Sequence, residues 1–519
     1  MKYGNIVAVV SLIVSVEPAL AGDGPLGGTI PLASLGADGN GFKIINQYTL
    51  DEAGISIAGV GDLDADGRDD ILIGAKYHGA AGLEAGAAYL VSGKTSGDGA
   101  DLSLIALGQG GFKVTGEAAG DHLGYAVSRV GDLNKDGIPD LLVGGRYNDG
   151  SGKDAGAAYV VWGKTSGSEV NLDDVAAGRG GYKIVGQNKL DFAGYSVGEA
   201  GDANRDGVPD LLVGAHYNDA GGGAAGAAYL VYGKSSGGVI DLDKVAVGVG
   251  GFRIVGQAAA DHAGWAVVPI GDMNGDGIAE IAVTAPNNDA GGNNAGAAYV
   301  VFGKATGTEV RLASLGTAGF RIVGERAGDN AGWSIASAGD MNGDGKGDLV
   351  IGARSNDGNG KDAGAAYVVW GKGDAVEVNL DNVAAGRGGF KIIGQAAGDF
   401  AGWSVAGVGD LNGNGVPDLL IGAVRHDGAA TDAGAAYVVY GKSTGSAVRL
   451  AKVAGGAGGF RILGESAGDN AGTSVAAGGD VNGDGRRDLL IGARFNDSGG
   501  IDCGAGYVVF GAASWQGDS

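Results

Sequence analysis

Oxygen-bearing side chains recur in this sequence at alternate positions of a tight loop, a spacing suited to wrapping a hard cation. The last copy runs Gly-Asp-Val-Asn-Gly-Asp-Gly-Arg-Arg-Asp from Gly479 to Asp488, with Asp480, Asn482, Asp484 and Asp488 at positions one, three, five and nine and Gly485 at six. A glycine at six permits φ > 0, and the carboxylates and amide then converge on one point, as oxygen-coordinated Ca²⁺ requires. An EF-hand would place a bidentate glutamate at position twelve. That position is Ile491, inside the apolar run Leu489-Leu490-Ile491, so the ninth acid must serve instead.

The loop occurs seven times, with first aspartates 70 residues apart except for one step of 68. The expected Ca²⁺ ligands are Asp62, Asp64, Asp66 and Asp70; Asp132, Asn134, Asp136 and Asp140; Asp202, Asn204, Asp206 and Asp210; Asp272, Asn274, Asp276 and Glu280; Asp340, Asn342, Asp344 and Asp348; Asp410, Asn412, Asn414 and Asp418; and Asp480, Asn482, Asp484 and Asp488. The Asp410 loop has one carboxylate fewer and the Asp272 loop a longer ninth side chain, so these two are expected to bind most weakly. The competing reading is that Asp and Asn only stabilise the turns by accepting nearby backbone N–H groups.

The elements that must carry these loops are short strands. Over Gly181 to Lys234, Tyr182-Lys183-Ile184-Val185 and Tyr195-Ser196-Val197 alternate, while Leu211-Leu212-Val213 and Ala227 to Tyr232 read as buried strands between glycine-bearing turns. A four-stranded unit repeated seven times at this period points to an all-β, seven-bladed β-propeller, because small twisted sheets bury their faces only against neighbouring blades. An open solenoid fits less well, since its repeats are typically shorter. The register places Gly41 to Ile45 as the outer strand of the last blade, closing the ring and covering two sheet edges. In the connection from Gly163 to Gly180, Asn171 and Gly178 are expected to cap and stop one helical turn.

Residues 1–21 have the pattern of a secretory signal peptide: Lys2, an apolar run from Ile6 to Val16, and a small-residue ending at Ala21. The expected organisation is therefore a leader over 1–21, a propeller over 22–511 and a tail over 512–519, in a secreted, periplasmic or cell-surface protein. Cys503 is the single cysteine, standing where the other repeats have alanine, so no intramolecular disulfide can form. Sixty acidic against 36 basic residues give a net charge of −24, which argues against nucleic acid or an anionic membrane as direct partners. Seven divalent cations would offset more than half of that charge. With 111 glycines but eight prolines, the composition suits glycine turns in a compact β protein.

Strand alternation puts the acidic loops on one face and the remaining interstrand loops on the other. That second face is expected to carry Asp121, Asp191, Asp261, Asp329, Asp399 and Asp469 together with Asn148-Asp149 and Asn356-Asp357. These either bind a cation, a sugar or a basic partner, or tie turns to backbone. Trp265, Trp333 and Trp403 begin innermost strands where other repeats have Tyr125 and Tyr195; inter-blade packing is favoured over sugar stacking. Asp121-His122, Asp261-His262 and His426-Asp427 lack a recurring nucleophile beside them, and neighbouring side chains point apart, so no catalytic residues are assigned.

The unit Ala401 to Ala423, Ala-Gly-Trp-Ser-Val-Ala-Gly-Val-Gly-Asp-Leu-Asn-Gly-Asn-Gly-Val-Pro-Asp-Leu-Leu-Ile-Gly-Ala, resembles the FG-GAP repeat of integrin α-subunit propellers and of bacterial secreted relatives. The resemblance covers nearly the whole chain after the leader. It implies that the calcium loop joins the innermost strand of each blade to the second and that seven repeats close one ring. Two departures stand out: the name-giving phenylalanine is Ala401 or Leu123 here, and the closing proline is kept at Pro286. The expected function is an exported, calcium-binding, monomeric interaction or adhesion module whose protein or glycan partner uses the face opposite the loops. A lectin-like carbohydrate binder is the second reading and a hydrolase on a propeller scaffold the third.

Overall fold

Each apolar run between glycine turns is long enough for about five residues of strand, and the chain pairs each strand with the next. The computed structural model describes residues 28–515 apart from Asp38 and residues 304–306. It contains seven sheets, numbered here as blades 1 to 7 by the acidic loops beginning at Asp62, Asp132, Asp202, Asp272, Asp340, Asp410 and Asp480. In blade 2 the innermost strand Leu123–Val130 pairs antiparallel with Asp140–Gly145, then come Ala157–Val161 and Gly181–Val185. These are the four strands the sequence calls for.

A fifth strand was not legible. Gly238–Asp241, from the connection that follows the third strand of blade 3, runs parallel to Gly181–Val185 and places Val239 opposite Lys183. All seven sheets have five strands. The long connection therefore clips each blade to the outer edge of the one before it, and a short helical turn follows directly, side-chain-capped in four of the seven. In that turn Asn171 Oδ1 accepts from Asp173 N at 2.9 Å, and Gly178 ends it at φ 82°.

Ring closure uses the expected strand and a second one. Gly41–Ile45 lies antiparallel to Ala505–Val509, with Phe42 opposite Val508, and Thr29–Pro31 adds a parallel fifth strand to blade 6. At the other end of the chain, Ala513–Trp515 forms a 3₁₀ turn whose buried Trp515 ring lies 4.8 Å from Phe460. The leader assigned to residues 1–21 lies outside the described residues.

The core is divided among seven seams. Between blades 2 and 3, Val160, Tyr182 and Ile184 pack against Leu211, Val213 and Tyr229, all fully buried. Truncating one such large side chain to alanine typically costs about 3 kcal/mol. Near the axis the blades approach backbone to backbone, and a Cβ at Gly144 would strike the carbonyl oxygen of Gly194 in the next blade. Serines reinforce this approach: Ser196 Oγ donates to Gly264 O at 3.0 Å and Ser56 Oγ to Gly124 O at 2.9 Å.

Candidate metal centres and the opposite face

Each acidic loop follows the innermost strand because the chain must reverse there in very few residues. The first aspartate makes that reversal: in blade 7 Asp480 Oδ1 accepts from Asp484 N at 2.9 Å and Oδ2 from Gly485 N at 2.8 Å. Position six has positive φ, 84° at Gly485. So does position four, which is Gly483 here but Ala65, Lys135 and Arg205 in blades 1 to 3, at φ 61°, 64° and 61°. Three repeats thus hold a non-glycine residue in the left-handed region to keep the loop closed.

Side-chain oxygens converge as a cation site demands. The carboxylates of Asp62, Asp64 and Asp66 all lie within 4.8 Å of one another, as do those of Asp272, Asp276 and Glu280. In the other loops the third position is asparagine, whose amide sits in the same place: Asn482 Oδ1 accepts from Asp484 N at 2.9 Å. In blade 7 Asp480 Oδ1, Asp480 Oδ2 and Asn482 Oδ1 each hold one backbone donor and keep a second lone pair, so there the turn-stabilising role and a ligand role are compatible, whereas Oδ1 of Asp272, Asp340 and Asp410 accepts from two backbone N–H groups. The chemistry of the donor set fits a hard, oxygen-seeking divalent ion.

The ninth acid occupies a different environment from the first three. Asp488 is fully buried, and its Oδ2 and Oδ1 accept from Val481 N and Gly511 N, each at 2.8 Å. Asp70, Asp140, Asp210, Asp348 and Asp418 repeat this double tie between the acidic loop and the connection leaving the third strand. Burial pushes the Asp70 and Asp488 carboxyls up to about 7 and those of Asp140, Asp210, Asp348 and Asp418 up to about 6, against the opposing effect of the backbone donors. Glu280, one methylene longer, is the ninth acid that reaches its loop's other carboxylates.

On the opposite face the expected ring of acids is buried in ties. Asp121 accepts from Ala118 N at 3.2 Å and from Asn148 Nδ2 at 2.8 Å, while Asn148 Oδ1 accepts from Gly150 N at 2.9 Å. The pattern recurs at Asp191–Asn218, Asp261–Asn288, Asp329–Asn356 and Asp469–Asn496. Histidine replaces the asparagine twice, in His78 Nδ1 to Asp51 at 2.7 Å and His426 Nδ1 to Asp399 at 3.0 Å. Those two pairs were missed because their members lie 27 residues apart. His122, by contrast, turns away from Asp121 toward Glu84, 3.3 Å away.

The tryptophans take part in an arrangement that the sequence reading did not foresee. Ring closure brings Tyr125, Tyr195, Trp265, Trp333 and Trp403 around the axis, with successive ring centroids 4.8, 4.8, 4.5 and 5.4 Å apart. Together with Ile55, Thr473 and Arg494 they line an axial cavity of about 170 Å³.

The FG-GAP repeat profile matches six spans of the chain: 53–91, 123–161, 263–301, 331–369, 401–439 and 471–510. The chain carries FG-GAP repeats in six of its seven blades and is similar to integrin α chains. Blade 3 lies outside the matched spans yet carries the same strands and the same loop at Asp202. This FG-GAP propeller is 30% identical over 163 residues to integrin alpha-6 of Homo sapiens, covering 31% of this chain and 13% of that protein. It is 31% identical over 245 residues to integrin alpha pat-2 of Caenorhabditis briggsae, covering 46% and 18%. With the phosphatidylinositol-glycan-specific phospholipase D of Bos taurus it shares 33% identity over 215 residues, covering 40% and 24%. The FG-GAP propeller thus spans less than a quarter of the length of these relatives. Among its described residues no helix is long and apolar enough to cross a membrane.

Proposed function

We propose that this FG-GAP propeller is an exported interaction or adhesion module whose blades are stabilised by Ca²⁺ in the seven acidic loops, with the partner engaged by the opposite face. The observation that carries the reading is the recurrence, on one face of every blade, of side-chain oxygens at positions one, three and five of a closed loop, converging within 4.8 Å where all three are acidic. Asp62, Asp64 and Asp66 and their counterparts hold the ion. The ninth acid, anchored by two backbone donors, supplies negative charge from below and ties the loop to the rest of the blade. Bound Ca²⁺ contributes positive charge that neutralises the cluster; the loop residues contribute a closed, low-entropy cage.

Export rests on the signal-peptide pattern at residues 1–21, and the assignment of an adhesion class on similarity to integrin α chains. The chain is read as a monomer without catalytic residues. The buried His78–Asp51 and His426–Asp399 pairs act as turn ties, and among the described residues no serine, threonine or cysteine side chain hydrogen-bonds to either histidine.

The deciding experiment is calorimetric melting of the protein in excess Ca²⁺ and in chelator. An ion at 100-fold excess over its dissociation constant adds about 2.7 kcal/mol per site, so a calcium-dependent rise in the midpoint is expected. An unchanged midpoint removes calcium from the reading and leaves the loops as turns.

A further inference from the structure

The axial cavity on the face opposite the acidic loops is flanked by arginines: Arg494 lines it, and Arg146 and Arg354 lie on aromatic rings that line it. Arg146, Arg354 and Arg494 stand at one repeat position, immediately after the second strand of blades 2, 5 and 7, so the ring aims them at the same axis. Each lies on aromatic faces. The guanidinium carbon of Arg146 is 3.9 Å from the Tyr125 centroid and 5.6 Å from Tyr195; that of Arg354 is 3.2 Å from Trp333 and 4.9 Å from Trp403; that of Arg494 is 5.8 Å from Trp403 and 4.4 Å from Phe495.

In a chain with 60 acidic residues, none of these three guanidiniums has a carboxylate oxygen within 4.0 Å among the described residues, and the Nε of each is buried without a hydrogen-bond partner. Lys76, at the same repeat position in blade 1, is by contrast paired with Glu52 at 2.9 Å. Burial lowers the Arg354 guanidinium to about 10. Burial also lowers Lys76, with the charges of Arg494 and Arg146 acting in the same direction, so the cations sense one another. Gathering like charges in a half-buried site without a counter-ion is unfavourable, and a planar oxyanion arriving there would accept bidentate N–H bonds from the forks that aromatic stacking has already oriented. On Tyr125, Trp333 and Trp403 the face that a guanidinium covers is not open to stack on a sugar.

We propose that this cavity is a carboxylate-recognition site that takes an acidic side chain from a peptide segment of a protein partner, held by Arg146, Arg354 and Arg494. The proposal rests on the interaction-module reading for its partner and is independent of calcium. A volume of about 170 Å³ accommodates one side-chain carboxylate with its methylenes rather than a folded element.

The test is calorimetric titration of the full chain, in Ca²⁺ and again in chelator, with hexaglutamate, hexalysine and a polyuronate as probes. Hexaglutamate is expected to bind, weakening with salt, while hexalysine does not. Arg354→Gln and Arg494→Gln are expected to weaken binding about tenfold each without lowering the melting midpoint. Arg449→Gln, an exposed control away from the axis, is expected to leave binding unchanged. No hexaglutamate binding, or binding indifferent to both axial substitutions, overturns the site. Tighter binding of polyuronate than of hexaglutamate overturns the peptide assignment in favour of an acidic glycan. Hexaglutamate binding in a protein whose melting ignores Ca²⁺ upholds this site while removing the calcium reading.

Discussion

Lys183 Nζ lies 2.6 Å from Glu117 Oε2 across the seam between blades 2 and 1, and Tyr159 Oη donates to the same carboxylate. Among the described residues, six of the seven seams match their cation with one carboxylate, taken from one of two places. Lys183, Lys391 and Lys43 use Glu117, Glu325 and Glu465. Where glutamine stands at that position, the carboxylate comes instead from the start of the fifth strand or the residue just before it: Lys113 uses Glu169, Arg253 uses Glu309 and Arg321 uses Glu377.

That alternation predicts a rescue. Glu117→Gln leaves Lys183 charged and largely buried without a partner and is expected to cost about 2–3 kcal/mol. Adding Val239→Glu, on the fifth strand opposite Lys183, recreates the arrangement of Gln187, Arg253 and Glu309 and should recover most of the loss. Denaturant melts of the single and double variants check this, and a double variant no more stable than the single one would refute the matching rule.

The two classes of loop acid should separate by their calcium dependence. Asp488→Ala orphans Val481 N and Gly511 N and is expected to destabilise by about 2 kcal/mol in chelator as well as in Ca²⁺. Asp484→Ala, at an exposed position, should lower the midpoint in Ca²⁺ and leave it nearly unchanged in chelator. Differential scanning calorimetry under both conditions distinguishes tie from ligand.

Burial raises the carboxyls of Asp121, Asp329 and Asp469 to about 6, with the bond from the neighbouring asparagine amide acting the other way. Because the folded value is raised above the unfolded one, the stability these groups contribute is fully present below pH 3.8 and is lost as pH rises through about 6. Carboxyl NMR titration should find all three in that window. Asn148→Ala, which removes the lowering bond, should move the Asp121 titration further up.

Cys503 is fully buried, and burial raises its thiol above the ordinary value. It should react with a disulfide reagent only on unfolding. Cys503→Ala, the residue found at Ala85, Ala155, Ala225, Ala295, Ala363 and Ala433, is expected to cost about 1 kcal/mol or less. A fast-reacting thiol in the native protein would contradict this burial.

The acidic loops, the four antiparallel strands, the blade number and closure by Gly41–Ile45 could be read from the chain because each is encoded locally, within one repeat, and then repeated. Asp480 and Gly485 shape their loop through bonds that span at most five residues, and a 70-residue period counts blades without any knowledge of their contacts. The sequence also carries two further repeat signals: glutamine or glutamate stands after the fourth strand, and arginine recurs after the second. Their meaning depended on the ring. Closing it brings residues about one period apart, such as Glu117 and Lys183 or Trp333 and Trp403, into contact at a seam or at the axis. The fifth strand is decided in the same way, since an extended segment of two to four residues becomes a strand only when a neighbouring blade offers an unpaired edge. Local hydrogen bonding determined the loops; the geometry of closure determined what the second face presents.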